Sequence, residues 1–379
     1  MKIVTAIDSF KGSMTSKEAN EVIKKTLPQH QVETFTVADG GEGTVEAFVE
    51  ILKGQYVEEK ISGPDGAKID GKYGWVETER LAIIEVAEGA GITKITSSRL
   101  HPRNHTSYGV GEQMVSALNL GAEEIIIGLG GSATVDGGMG LLQALGVEFY
   151  DSNNKLIPKL PIELGKVYRI NKEKMDARLR NIKITVASDV DNELFGKKGA
   201  VYVFGPQKGI SAHELDSYDK EMEYYAKVVN EATKTKQHYT PGAGAAGGIG
   251  FALYSFLNAS FQSGFQLLAE KGNLENKIKN AELIITGEGK FDSQSLQGKV
   301  PIGISRLAKK YQTPVIIFAG IIEKGLIDLS EENIKAAIPI VDEPMTLDEA
   351  MQKSQILLEV AVNRVFKLIE FSKNYCDFY

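Results

Sequence analysis

The chain has 379 residues, of which 42% are hydrophobic and 25% charged, and its formal net charge is -7. This composition is typical of a folded globular protein and excludes extended disorder. The acidic balance argues against a nucleic-acid partner or an anionic membrane surface. The length exceeds what one ordinary hydrophobic core covers, so we predict two domains.

A single cysteine, Cys376, excludes a disulfide framework or a cysteine metal cluster within one chain, which fits a reducing compartment. The opening MKIVTAID reads as a strand and leaves no room for a signal or transit peptide. The longest apolar stretch, VIIFAGII, is far below the length that spans a membrane. We therefore expect a cytoplasmic protein without a membrane partner, and we leave a homodimer open.

Short β-branched runs alternate with Gly/Asp loops and segments of helical periodicity, which predicts an α/β fold with a mostly parallel sheet. In chain order, strands are predicted at residues 2–7, 32–38, 124–129, 183–187, 283–286, 315–319 and 336–341. Helices are predicted at residues 16–26, 43–52, 108–120, 138–145, 213–232, 247–257, 302–311 and 347–371. The first and last helices each begin with a capping box, TSKE and TLDE.

Residues 53–95 differ from this pattern, since their apolar residues alternate and Gly-Pro turns interrupt them. Such a pattern predicts antiparallel hairpins. We predict a discontinuous, Rossmann-like α/β domain from residues 1–60 plus 280–379. Residues 61–279 then form a second α/β domain that contains the hairpins.

Five predicted loops contain glycine together with carboxylates: IDSFKGS, ADGGEGT, GLGGSATVDGG, SDVDNELFG and GEGKFD. In open parallel sheets ligands bind beyond the carboxyl ends of the strands, where such loops meet. Each loop alone is adequately explained as an Asx turn or a helix cap. Together they favour a ligand site, because clustered carboxylates stay ionised only beside cations such as Mg²⁺ or lysine.

Three lysines adjoin a glycine in such loops, Lys11, Lys208 and Lys299, and this pairing suits a phosphate held by ammonium and backbone amides. The segment PGAGAAGGIG either approaches a polyphosphate or packs closely through its small residues, and both alternatives stay open. The Walker A and protein-kinase signatures are absent from the sequence. His105 reads as a surface histidine.

Seven motifs in order carry a resemblance over almost the whole chain: DSFKGS, DGGEGT, TSYGVGE, GLGGSATVDGGMG, FGPQKG, PGAGAAGG and ITGEGKFDSQSLQGKVPIG. This set resembles the bacterial glycerate kinases related to glycerate 2-kinases. The resemblance implies ATP-dependent phosphorylation of D-glycerate and two α/β domains closing over a cleft. The chain departs from the family pattern at Glu193 (usually proline), Val135 (usually asparagine) and His105 (commonly threonine).

With this resemblance we assign the site residues by role. The catalytic candidates are Asp189 as the base, Lys11, Lys208 and Lys299. The candidates for substrate binding are Asp8, Ser9, Asp39, Asn192 and Gln207. The candidates for binding ATP are Gly130, Gly131, Ser132, Asp136, Gly242, Gly244, Gly247, Gly248 and Gln294. The candidate Mg²⁺ ligands are Glu288 and Asp292.

The expected product is phosphoglycerate, with phosphorylation at the 2-hydroxyl favoured over the 3-hydroxyl. Two other functions stay open at this point. One is a phosphohydrolase that uses the loop Asp189-x-Asp191, since an Asp-x-Asp pair after an apolar strand suits an aspartyl-phosphate. The other is a non-catalytic module that captures an anion.

Overall fold

The structure, a computed structural model, describes residues 1–96, 100–325 and 329–376. It forms two compact units, Met1–Asp39 with Phe265–Tyr379, and Gly40–Gly264. The strands are β1 Lys2–Ile7, β2 Gln31–Thr34, β3 Gln55–Ser62, β4 Lys68–Val76, β5 Leu81–Glu85, β6 Glu124–Gly128, β7 Glu148–Tyr150, β8 Arg169–Asn171, β9 Lys183–Ala187, β10 Ser260–Gln262, β11 Leu283–Phe291, β12 Val315–Ile322 and β13 Ile334–Pro339. The helices are α1 Ser16–Thr26, α2 Thr44–Leu52, α3 Val86–Ala90, α4 Tyr108–Asn119, α5 Met139–Ala144, α6 Ala200–Phe204, α7 Leu215–Thr233, α8 Ala245–Leu257, α9 Gly264–Lys271, α10 Leu274–Lys279, α11 Val300–Lys309, α12 Leu347–Gln352 and α13 Ser354–Cys376.

The first unit contains a five-stranded sheet in the order β13-β12-β11-β1-β2, and every neighbouring pair is parallel. Its central strands read as continuous apolar runs because both faces of a parallel sheet are covered. Helices α1 and α13 pack together over one face, where Ile3, Ile285 and Phe318 join Leu358 and Val362 in one apolar cluster. This arrangement brings the carboxyl ends of β1 and β11 side by side.

The second unit contains a six-stranded sheet in the order β10-β9-β6-β5-β4-β3. The strands from β10 to β5 are parallel, whereas β5, β4 and β3 form an antiparallel meander. The predictions of a mostly parallel α/β fold and of antiparallel hairpins within residues 53–95 are therefore confirmed. A separate two-stranded ribbon, β7 with β8, was not predicted.

The unit boundaries fall at residues 39/40 and 264/265 rather than at the predicted 60 and 280. Helix α2 and strand β3 belong to the second unit because α2 packs on β4 and β3 pairs with β4 along its whole length. Helices α9 and α10 belong to the first unit. There α10 packs on α11, and Lys277 forms an ion pair with Glu33 of β2.

Local signals set several element ends. Both predicted capping boxes are present, at Thr15 with Glu18 and at Thr346 with Glu349. The predicted helix over residues 347–371 is in fact two helices, since α12 ends at Gln352 and α13 begins at Ser354. The predicted strand over residues 32–38 ends at Thr34.

Candidate functional site

In the first unit, Asp8 directly follows β1 at the carboxyl edge of the sheet. Its backbone N–H donates to the carbonyl of Gly287 at 2.9 Å, so the loop after β1 stays beside β11. The N–H of Ser9 donates to Asp8 Oδ1 at 2.7 Å, and the Ser9 side chain is exposed. Glu288 follows Gly287 within β11. Two neighbouring parallel strands therefore deliver carboxylates to one edge, as the sequence predicts.

The pKa of Asp8 shows that several charges meet at this edge. Burial raises it from 3.8 to about 7, and the negative charges of Asp39 and Glu288 add to that rise. The N–H of Ser9 and the ammonium of Lys299 oppose the rise. Two carboxylates and one lysine that the sequence assigns to the site thus act on the carboxyl of Asp8 within this unit.

Glu288 is only 6% exposed, and its Oε1 has no hydrogen-bond partner among the described residues. Burial raises the pKa of its carboxyl, whereas the Ser295 hydroxyl and Lys299 lower it. A buried carboxylate oxygen without a donor is costly unless a cation or a ligand donor satisfies it. This atom is the strongest sign of a missing ligand at the edge.

Asp292, the second predicted metal ligand, is held differently. Its Oδ2 forms an ion pair with Lys290 at 3.0 Å, and its Oδ1 accepts from the N–H of Gln294 at 3.0 Å. Its N–H donates to the Ser295 hydroxyl at 3.0 Å. Although Asp292 is only 8% exposed, its pKa is lowered, chiefly by the hydrogen bond from Lys290. The local turn therefore accounts for this carboxylate, and the side chain of Gln294 is exposed beside it.

Lys299 precedes α11, and its side chain is exposed. Gly298, with φ of 112°, makes the turn into the helix, and the side chain of the N-cap residue Lys299 does not cap the first amides of α11. Free amides at a helix start and a lysine together suit an anion. Lys11 is also exposed, in the turn after β1, and its backbone lies against Gly289 of β11.

In the second unit, the glycine-rich loop after β6 opens to solvent only at its start. Gly131 is exposed and Gly130 half-buried, whereas residues 132–140 are buried. Asp136 is fully buried: its Oδ2 accepts from the N–H and hydroxyl of Ser107 at 2.8 and 2.7 Å, and its Oδ1 accepts from the N–H of Gly138 at 3.0 Å. Burial raises its pKa, and these hydrogen bonds oppose that rise. Asp136 therefore has no surface for a nucleotide here, and we reassign it to holding the loop.

Lys208 is likewise buried rather than presented in a loop. Its Nζ donates to Ser132 Oγ at 2.8 Å and to the carbonyl of Thr134 at 2.9 Å. Burial lowers its pKa to about 7, although Asp136 opposes this effect. In this structure the ammonium contacts the glycine-rich loop, and neighbouring Gln207 is exposed. Direct contact between Lys208 and a substrate is therefore not part of this geometry.

The glycines of residues 242–248 lie in close backbone contacts. A Cβ on Gly244 would lie 2.2 Å from the carbonyl of Glu193, one on Gly247 would lie 2.1 Å from that of Thr134, and one on Gly248 would lie 2.7 Å from Gly137 Cα. Gly242 also has a left-handed backbone, with φ of 86°. The packing alternative therefore accounts for these glycines, and Ala246, Gly247 and Gly248 in the first turn of α8 have left-handed conformations.

Just beyond the end of β9, Asp189 is exposed. Asn192 is half-buried: its Nδ2 donates to the carbonyl of Lys198 at 2.8 Å, and its own carbonyl accepts from Gly244 at 2.9 Å. The side chain of Asn192 therefore supports the loop backbone.

Glu85 at the end of β5 is a further candidate that was not predicted from the sequence. Its Oε1 accepts from the N–H of Val45 at 2.7 Å, at the start of α2, and burial raises its pKa to about 7. The loop that precedes α2 lies against the ends of β6 and β9, since a Cβ on Gly40 would lie 2.5 Å from the carbonyl of Ala187. The sequence signal for this residue is the acid that ends the apolar run LAIIE. The alternating pattern of residues 53–95 predicted antiparallel hairpins there, so the parallel pairing of β5 with β6 was not predicted.

His105 is 1% exposed, so its interpretation as a surface histidine is wrong. It lies under the glycine-rich loop, where Thr134 Oγ1 donates to its carbonyl at 2.7 Å. Its Nδ1 has no hydrogen-bond partner in the described chain.

Within the described residues, no three or more His, Cys, Asp or Glu side chains are grouped so as to hold a metal ion by themselves. Among the same residues, no helix has the length and apolar character needed to cross a bilayer.

Comparison with known proteins places these features in one family. The family model described as "Glycerate kinase family" matches residues 3–370. A glycerate kinase of Halalkalibacterium halodurans is 39% identical over 98% of this chain and 99% of its own length. A glycerate 2-kinase of Escherichia coli is 41% identical, and the match covers 93% of each chain. A crystal structure of a protein assigned as glycerate kinase 2 of Salmonella typhimurium LT2 superimposes with a TM-score of 0.86 at 37% identity, covering 99% of both chains. The resemblance inferred from the seven motifs is confirmed, and this chain belongs to the glycerate kinase family.

Proposed function

We propose that the protein transfers the γ-phosphoryl group of ATP to the 2-hydroxyl of D-glycerate, with Mg²⁺, and forms 2-phosphoglycerate. Membership of the family supports the reaction class. The relative named a glycerate 2-kinase supports the choice of hydroxyl. The single observation that carries the proposal is the acidic edge of the first unit, where the charges of Asp39, Glu288 and Lys299 all act on the carboxyl of Asp8.

The residues at this edge fit a magnesium ion. Mg²⁺ prefers oxygen ligands and is usually bound through one or two carboxylates, with water and phosphate oxygens completing its shell. Glu288 offers a buried oxygen that has no donor among the described residues, and Asp8 offers a carboxyl whose ionisation is disfavoured by burial. Of the two predicted ligands we therefore favour Glu288 over Asp292, and we add Asp8. When bound, the ion would neutralise negative charge on the phosphates.

The chain's own groups position the two reactants. Phosphoryl transfer depends on alignment and on stabilising the charge of the moving group, because little covalent chemistry is required of the protein. Lys299 and the free amides of α11 suit phosphate oxygens, and exposed Lys11 suits a further anionic group. Asp189, exposed at the end of β9, is our candidate for accepting the hydroxyl proton.

The test is phosphorus NMR of the products made from D-glycerate and MgATP. The proposal predicts ADP and 2-phosphoglycerate in equal amounts. Release of inorganic phosphate without phosphoglycerate would instead support the phosphohydrolase, and ligand binding with no turnover would support the anion-binding module. A 3-phosphoglycerate product would overturn the regiochemistry alone.

A matched pair of variants connects the activity to the acidic edge. Glu288→Gln keeps the side-chain shape and should reduce turnover about a hundredfold, on the order of 3 kcal/mol of transition-state stabilisation. The control Glu359→Gln changes an exposed glutamate of α13 and should leave turnover unchanged. Equal activity of the two variants would contradict the placement of the site.

A further inference from the structure

Beyond Thr34, where β2 ends, polar side chains of α1 connect the carboxyl ends of β1 and β2. The N–H of Phe35 still donates to the carbonyl of Thr5 at 2.8 Å, as in a parallel ladder. If that ladder continued, the N–H of Ile7 would donate to the carbonyl of Phe35, and the N–H of Val37 would donate to the carbonyl of Ile7. In the structure both positions are taken by relays through side chains of α1.

The two relays are formed by Asn20 and Ser16. Asn20 Oδ1 accepts from the N–H of Ile7 at 3.2 Å, and its Nδ2 donates to the carbonyl of Phe35 at 3.1 Å. The Ser16 hydroxyl donates to the carbonyl of Ile7 at 2.6 Å and accepts from the N–H of Val37 at 2.9 Å. Each relay has two hydrogen bonds where a ladder has one, so it holds the strand ends farther apart than the usual strand spacing of about 4.8 Å.

These two side chains use all of their hydrogen-bonding capacity in the network. Asn20 Oδ1 also accepts from the hydroxyl of Thr5 at 2.8 Å, and its Nδ2 also donates to Ser16 Oγ at 3.4 Å. Ser16 is 6% exposed and Asn20 is 1% exposed. A buried polar network in which every group is satisfied is rigid and favours one geometry. The relays therefore fix the separation of the strand ends.

Both relays end within two residues of an acid of the acidic edge. Asp8 directly follows Ile7, and Asp39 lies two residues beyond Val37. We call Asp8 and Asp39 the strand-end carboxylates. The charge of Asp39 contributes to the raised pKa of Asp8, so the two side chains remain within electrostatic reach of each other. Two such carboxylates need room between them for a cation, because they repel each other when no positive charge separates them.

We propose that Ser16 and Asn20 are positioning residues, which set the separation of the strand-end carboxylates and with it the geometry in which the acidic edge receives a divalent cation. The inference rests on the proposed function and deepens it by extending the site to two buried residues of α1. It also explains why β2 ends at Thr34 although the sequence predicts a strand to residue 38.

The test measures binding of Mn²⁺, which shares the preference of Mg²⁺ for oxygen ligands, to the full chain without nucleotide. Binding is followed by the loss of the EPR signal of free Mn²⁺. Ser16→Ala removes one relay and should weaken Mn²⁺ binding about tenfold, a loss typical of removing a group that supports a metal ligand. Asn20→Ala removes the other relay and should weaken binding at least as much. Ser16→Thr keeps the hydroxyl and should bind Mn²⁺ as wild type does.

Ser305→Ala is the matched control, because Ser305 is also buried and its hydroxyl also donates to a distant backbone carbonyl, that of Glu332. Both alanine variants of serine should unfold at lower urea concentrations than wild type, since each leaves a buried acceptor unpaired. Only Ser16→Ala should weaken Mn²⁺ binding and raise the Mg²⁺ concentration for half-maximal turnover by the same factor. Wild-type Mn²⁺ affinity in Ser16→Ala, or equal weakening in Ser305→Ala, would overturn the inference.

The same measurements separate this inference from the proposed function. Phosphoryl transfer to D-glycerate, together with a Mn²⁺ affinity that does not depend on Ser16, would refute the positioning role alone. Mn²⁺ binding that depends on Ser16, without phosphoryl transfer to D-glycerate, would refute the proposed function alone. A wild-type chain that binds no Mn²⁺ would overturn the inference, because the acidic edge would then receive no cation for the relays to place.

Discussion

Replacing Asp8 by asparagine should stabilise the protein, and the gain should increase with pH. Burial, together with the charges of Asp39 and Glu288, raises the pKa of Asp8 from 3.8 to about 7. Between these two pH values the folded chain keeps a proton that the unfolded chain has lost. The contribution of Asp8 to wild-type stability is therefore fully present below pH 3.8 and is lost as the pH rises through about 7. Asparagine has no such proton to lose.

The size of the effect follows from the two pKa values. Each pKa unit corresponds to about 1.4 kcal/mol, so the rise from 3.8 to about 7 sets an upper limit of roughly 4 kcal/mol above neutral pH. Asp8 is half-buried, and solvent screening lowers the real value, so we expect a gain of about 2 kcal/mol. Since stabilities of whole domains are about 5–15 kcal/mol, this gain is measurable.

The assay is urea unfolding of the variant and the wild type in magnesium-free buffer at about pH 5 and about pH 8. Taking the difference in unfolding free energy between the variant and the wild type at each pH cancels the contribution from the titration of all other groups. Asp176→Asn is the matched comparison of opposite sign, because the hydrogen bond from Arg178 lowers the pKa of Asp176. That variant should lose stability above the ordinary pKa of aspartate. Added Mg²⁺ should reduce the difference in unfolding free energy between Asp8→Asn and wild type, because a bound cation stabilises the ionised carboxylates of the acidic edge in the wild type. If Asp8→Asn is no more stable than wild type at the higher pH, the carboxylates do not repel one another as described.

Two further predictions concern the second unit. Gly196 has a φ of 88° and open space around its Cα, so Gly196→Ala should lower the free energy of unfolding by about 1 kcal/mol through backbone strain alone. Gly248 has a φ of 93°, and a Cβ there would lie 2.7 Å from Gly137 Cα. Gly248→Ala should therefore lower the free energy of urea unfolding by about 1–3 kcal/mol more than Gly196→Ala does. Equal losses would show that the second position has room for a side chain. Lys208→Met tests the buried amine. Between about pH 7 and the ordinary lysine pKa of 10.5, the unfolded chain keeps the Lys208 proton that the folded chain has lost. The unfolding free energy of wild type should therefore rise relative to that of the variant as the pH increases over this range. A pH-independent difference between the two unfolding free energies would contradict the buried placement of this amine.

Local patterns were sufficient for much of the fold. The predicted bounds of β1, α1 and β9 match the structure, since each is a short apolar or amphipathic run with clear flanking signals. The capping boxes at Thr15 and Thr346 depend on residues only three positions apart, and both are formed. By contrast, α12 and α13 share one periodic segment, and their separation could not be read from periodicity.

The burial of individual site residues depended on contacts that are distant in sequence. Lys208 reaches Ser132 and Thr134 across more than 70 positions, so a glycine-flanked lysine that looked exposed is enclosed. Asp136 is covered by Ser107 in the same way. Proximity of strand ends could be predicted from the parallel-sheet rule, which is why Asp8 and Glu288 were correctly expected near each other. The rule says nothing about which side chains at an edge point inward.

Both sheets place an acid with a pKa near 7 at the end of a parallel strand, but the two acids are not equivalent. Glu85 accepts a hydrogen bond from the N–H of Val45 in the first turn of α2, and the backbone of Gly43 just before the helix also lowers its pKa, so the helix start already balances part of its charge. Asp8 receives one backbone N–H, from Ser9, and faces two further carboxylates. An arriving cation therefore relieves more repulsion at Asp8 than at Glu85. Under the function proposed above, relief of that repulsion would give a metal-bound triphosphate more binding free energy at the acidic edge of the first unit than at the end of β5.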